Sequence, residues 1–283
     1  MVSQFPEAAR RSWRGIWRDD VTIYAAGIAF HSLAGIFAAL FLFTTLLEHL
    51  GADPDFLIGL ARFFTGTVPQ EAVDFINTAV RVARQPIPGA VFPLAVLILL
   101  WMASNMFQTL IHSLNRIYHV EDTRSAWKTR LFAVSVVGVA GLSLLAAIFF
   151  LTLGDRVADA SEDPNPIAGW ISAAHEPLSM LAVALSALLI YWLAPNFRSG
   201  PRVVLPGAVV FTVTWLVSSY GFNLYLRELA VYDRVYGPVA TAVVFLTWVY
   251  LSAFLLLVGG EFNASYREIL VESTLAGEPG PGM

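Results

Sequence analysis

The sequence predicts an all-α membrane protein: a polytopic bundle of six transmembrane helices, with short amphipathic helices in its first outer loop. Three observations predict it. Apolar residues make up 57% of the 283-residue chain and charged residues 13%, whereas a soluble domain carries about 25% charged residues. Six windows approach or exceed the roughly 20 apolar residues that cross a hydrocarbon core. These windows are continuously apolar, as at residues 92–101, where barrel strands would alternate. Uninterrupted apolar spans must be helical, because lipid offers no partner to free backbone groups.

Taken in order, the windows are about 22–47, 90–111, 131–153, 176–194, 204–225 and 238–258. They form one transmembrane domain over 1–270, followed by a disordered tail over 271–283 that is rich in Gly and Pro from Gly277 onward. The third window contains no charge, and the fourth ends at Pro195-Asn196. Ahead of the first, Arg10, Arg11, Arg14 and Arg18 accompany Trp13 and Trp17 without the apolar core and cleavage site of a signal peptide. Residues 10–17 read either as a basic segment on the membrane surface or as an ordinary helical lead-in. Between the first two windows lies a loop at 51–87. There Pro69 sits near a helix start, and Ala72, Ile76 and Ala83 share a face. Gly237-Pro238 starts the last helix as breaker and first-turn proline, and Pro206-Gly207 reads similarly at the fifth.

Basic residues orient the bundle. With the N-terminus inside, the inner segments hold the four N-terminal arginines, Arg116, Arg124, Lys128, Arg130, Arg198, Arg202 and Arg267. Six of the 17 basic residues then lie outside. Both ends are expected in the cytoplasm.

Polar groups within a bilayer are costly and mark candidate sites. On the second span Ser104, Asn105, Gln108, His112, Asn115, Arg116 and His119 recur mostly at steps of three or four, which gathers them into one helical stripe. The stripe reads as the lining of a cytoplasm-facing cavity, or as interhelical hydrogen bonding on a helix end. His31 lies near mid-membrane, as a titrating or substrate-binding group or as a neutral core histidine. Glu261 and Asn263 fall near the inner surface. Glu261 is expected to pair with a base such as Arg116 or Arg130, or to couple protons. Asn223, Tyr225 and Tyr236 gather at the outer ends of the last two spans.

Several classes are excluded or disfavoured. The net charge is −4, unlike the basic face of a nucleic-acid protein. There are no cysteines, so disulfides and thiolate sites are absent. No phosphate loop, HExxH or GxSxG motif is present, and the five histidines are scattered. No metal, cofactor or enzymatic activity is expected.

The run Leu114-Asn115-Arg116-Ile117-Tyr118, then residues 120–124 and Trp127, resembles the YihY/BrkB family of bacterial inner-membrane proteins. So do Tyr191 with Ala194-Pro195-Asn196, Leu205-Pro206-Gly207-Ala208, and residues 215–264 with Gly260-Glu261-Phe262-Asn263-Ala264. The first span departs: where family members carry an aromatic and then Ser-Leu-x-Pro, this chain has His31 and then Gly35-Ile36-Phe37-Ala38, so the proline kink is missing. The resemblance implies a location in the inner membrane and a suspected transport role, with no catalytic residues to carry over. The family's ribonuclease label fits poorly. The leading expectation is a transporter, exporter or lipid-handling protein. Its partners would be membrane lipids and a small-molecule or lipid substrate, with no nucleic acid and no oligomeric state assigned. The alternatives are an envelope scaffold acting through the loop at 51–87 and, last, a membrane ribonuclease.

Overall fold

The computed structural model describes residues 4–49, 92–121, 183–197, 200–228 and 238–275, with short pieces within 73–81, within 123–135 and at 180–181. All regular structure among the described residues is helical, as the apolar runs require. Most of the third span at 131–153, most of the loop at 51–87, Tyr236 and the last residues of the tail lie outside them.

Helix α1 (Phe5–Arg18) carries a proline in its first turn, Glu7 near its N-terminus and Arg18 in its last turn, all suited to the helix dipole and the missing proline donor. Ala8, Ser12, Gly15 and Ile16 are buried on one face, while Trp13 and Trp17 on another are 65% and 66% exposed. Helix α2 (Val21–His49) follows after a two-residue turn in which Asp20 takes a left-handed φ of 54°, a conformation Asp tolerates better than most residues. Next come α3 (Phe92–Ile117), a helical piece at 127–132, α4 (Val183–Leu193), α5 (Pro201–Glu228) and α6 (Pro238–Leu275).

Among the described residues, two stretches are long and apolar enough to cross a membrane, Pro201–Leu226 and Ala242–Leu275. Val21–Gly35 and Val183–Leu193 are shorter apolar helices. The outer faces are as telling as the lengths. Leu94, Leu97, Ile98 and Trp101 form an exposed stripe on α3, and Leu205, Val209, Val213 and Val217 another on α5. Exposed apolar surface this continuous needs a cover, and lipid supplies it.

The described helices converge at one end. Arg116 near the end of α3 bonds Asp20 at the start of α2 (2.9 Å). The Asn196 backbone, just past α4, donates to Asn115 Oδ1 (2.7 Å). The start of α5 meets the late part of α6 through Gly207 and Asn263 (2.7 Å). Helix α1 rests on the same part of α6, with Phe5 5.6 Å from Phe262 and 5.8 Å from Tyr266 between ring centroids.

Three expectations need correction. The tail does not start at 271, because α6 continues to Leu275. Pro206 does not open α5; the helix begins at Pro201, with Pro206 inside it. The next amide along, Gly207 N–H, donates to the Asn263 side chain. His119 is not on the α3 stripe. The helix ends at Ile117, and His119 sits in a left-handed cap with φ 52°. The bonds from Val120 N–H to Asn115 O (2.9 Å) and from His119 N–H to Arg116 O (3.0 Å) make this a Schellman ending.

Candidate functional site

The polar residues foreseen on α3 divide by role. Ser104 is fully buried and turns its hydroxyl back to Trp101 O (2.9 Å). Asn115 is buried as well, and its Oδ1 holds the turn after α4. Both are explained by local structure. His112 and Arg116 are exposed, and Arg116 faces Asp20. Asn105 and Gln108, one turn apart and half-buried, point their amide oxygens at a cation. Arg130 Nη2 donates to Asn105 Oδ1 and to Gln108 Oε1, each at 2.9 Å. Its guanidinium carbon also lies 3.2 Å from the centroid of the Trp101 ring.

Arg130 is therefore half-buried against α3, although its sequence neighbourhood reads as a cytoplasmic loop. It lies in the helical piece at 127–132 and reaches the middle of α3. Trp101 is fifteen residues from Arg116, or about 22 Å along a helix axis. The Arg130 guanidinium thus meets α3 several turns away from the helix end at Arg116. Its Nη1 is buried with no hydrogen-bond partner. The sequence signal that could have exposed it is position: Arg130 immediately precedes the uncharged run at 131–153.

His31 reaches the same depth by register. Asp20 pairs with Arg116, and seven residues on in α2 Gly27 faces Thr109, seven residues back in α3. One further turn in that antiparallel register sets His31 level with Asn105. The His31 ring is half-buried and meets Phe30 edge-on at 5.6 Å. Asn223 does not join this group. It lies far along α5 and donates to Ser219 O in its own helix (3.1 Å).

A second cluster occupies the end where the helices converge. Glu261 is 1% exposed, its carboxyl pressed against the Cα of Gly15 and beside the Asp19 carboxyl. Arg116 and Arg130, the partners foreseen for Glu261, are engaged elsewhere, and Glu261 Oε1 has no hydrogen-bond partner. Asp19 carries the nearby charge balance instead. Arg18 Nη2 approaches its Oδ2 at 3.0 Å, and His119 Nε2 its Oδ1 at 3.6 Å, with Glu268 4.0 Å from the other His119 nitrogen. Among the described residues, the two non-glycine positions with left-handed backbone, Asp20 and His119, flank this cluster. Asn263 is a structural bridge: Oδ1 accepts from Gly207 N–H (2.7 Å) and Nδ2 donates to Val204 O (3.0 Å).

Lipid-facing helices around buried polar groups define an α-helical membrane protein. The family model for virulence factor BrkB matches residues 12–281, so the chain belongs to the BrkB family. It is 28% identical over 244 residues to the ribonuclease-like protein YfkH of Bacillus subtilis, covering 85% of this chain and 88% of that protein. It is 25% identical over 280 residues to a UPF0761 membrane protein of Tolumonas auensis, covering 94% and 87%. A UPF0761 membrane protein of Alteromonas mediterranea is 24% identical over 258 residues, covering 88% and 84%. No solved structure matches the chain.

Proposed function

We propose that this chain is a six-span protein of the bacterial inner membrane, with both ends cytoplasmic, that moves a polar small molecule or a lipid through a polar cavity open to the cytoplasm. On this reading it is not an enzyme, and the ribonuclease wording is part of the name of its Bacillus relative. The observation that carries the reading is Arg130, half-buried and held against the middle of α3 by Asn105 and Gln108. A bundle needing only stability would gain by filling that place with apolar side chains, so a charge kept there argues for a passenger.

The chain has no cysteine, so single-cysteine variants report their own positions alone. In native membranes a water-soluble thiol reagent should label Asn105→Cys, Gln108→Cys and His112→Cys and spare Val213→Cys on the apolar face of α5. Inert cysteines at all three α3 positions would remove the cavity.

A further inference from the structure

We infer that Arg130, held over Trp101 by Asn105 and Gln108, is the docking point for a phosphate-bearing anion within the membrane bundle. This deepens the transport reading above and rests on it for the identity of the cavity, but the binding claim has its own test.

The argument is one of charge. Arg11, Arg18 and Arg116 each face a carboxylate, at 2.8, 3.0 and 2.9 Å. Among the described residues Arg130 faces none. Its nearest polar partners are two neutral amide oxygens, both on the same nitrogen, Nη2. Two amides and an aromatic face orient a guanidinium but leave its charge in place. A full positive charge in apolar surroundings is costly without a counter-charge. The geometry keeps a donor in reserve for one: Nη1 is buried and unpartnered.

Because Asn105 and Gln108 turn their oxygens toward Arg130, their NH2 groups are free to donate elsewhere. Together with Nη1 they supply donors and no acceptor of negative character, which suits an oxyanion. Arg rather than Lys fits this role, since its planar fork matches phosphate oxygens and its flat face stacks on Trp101. The phosphate could arrive on a lipid headgroup or free in water, and the test separates these.

The full chain in neutral detergent micelles would be heated with phosphatidylglycerol, with phosphatidylcholine or with inorganic phosphate, and its unfolding midpoint read. A bound ligand raises the midpoint by mass action. Phosphatidylglycerol should raise it beyond phosphatidylcholine, and Arg130→Met and Arg130→Gln should abolish that extra shift, while Arg10→Gln on the surface of α1 keeps it. A shift produced by inorganic phosphate and lost in the same two variants would assign a soluble anion. Without ligand, Arg130→Met should unfold at the same temperature as the parent or higher, because it removes an uncompensated charge. An Arg130→Met protein that is less stable without ligand would overturn the inference and leave Arg130 a structural cation. So would a ligand shift equal in parent and variants, or no shift from any anion. Failure here with labelled cysteines at 105 and 108 would leave the cavity standing without this ligand; the reverse result would leave an anion site without a water-open path.

Discussion

At the residue scale, the tightest constraint lies where α5 crosses α6. A methyl group on Gly207 would collide with the Gly259 carbonyl and the Asn263 side chain. In turn, a methyl on Gly259 would meet the Gly207 carbonyl at 2.7 Å. Small residues matter here because helices in lipid associate through close packing rather than hydrophobic burial. Gly221, on the same helix, has nothing within 4 Å of the place a methyl would take. Gly207→Ala should therefore lower stability by about 1–3 kcal/mol through overpacking. Gly221→Ala should be neutral or raise it by up to about 1 kcal/mol through helix propensity. Thermal unfolding of the purified variants measures both, and equal midpoints would refute the crossing. Asn263→Ala should cost about 1–3 kcal/mol in the same assay, because it strands the buried Gly207 N–H.

At the element scale, α1 is a basic, tryptophan-bearing helix fastened to the late part of α6. Arg11 makes the fastening: its two terminal nitrogens bond the two Glu272 oxygens at 2.8 and 2.9 Å, and Nε bonds Glu7 at 3.0 Å. Exposed pairs of this kind contribute little to global stability, so Arg11→Gln should loosen α1 without unfolding the bundle. Nitroxide labels on Ala9→Cys and Thr274→Cys would show this as a broadened distance distribution. Acid should act in the same direction. The hydrogen bonds that Arg11 makes across to α6 hold the Glu272 carboxyl below its ordinary range. A carboxylate depressed on docking adds stability above its undocked pKa, about 4.3, and loses it as pH falls through the depressed value. The distribution should thus stay narrow near neutrality and broaden only below about pH 4. Broadening that begins above pH 6 would rule out the Arg11–Glu272 pair as the acid-sensitive contact.

At the scale of the whole molecule, the start of α2, the end of α3, the turn after α4, the start of α5 and the late part of α6 share one end. On the proposed six-span topology this end faces the cytoplasm. Phosphatase fused after Gly66 or Asp163 should be active, and fusions after Arg124, Ser199 or Glu272 should be silent. An active fusion after Arg124 would turn the bundle over and place the Arg130 site on the opposite path.

The sequence by itself determined the class: 57% apolar residues in long uninterrupted runs leave a helical membrane bundle as the physical solution. Local signals carried the α6 start at Pro238 and the approximate extents of α2 and α5 for the same reason, since period, proline and glycine act within a turn or two of where they stand. Half of the candidate site was legible too, because Asn105 and Gln108 are polar where lipid demands apolar residues. What only the tertiary structure decided was which groups meet. Arg130 reads as a loop cation until its helix carries it beside Trp101, and Glu261 looks ready for an arginine until α1 folds over it with Gly15 and Asp19. Residues far apart in the chain are brought together by helix register and crossing. Those depend on side-chain fit summed over several helices, which no single window of sequence contains.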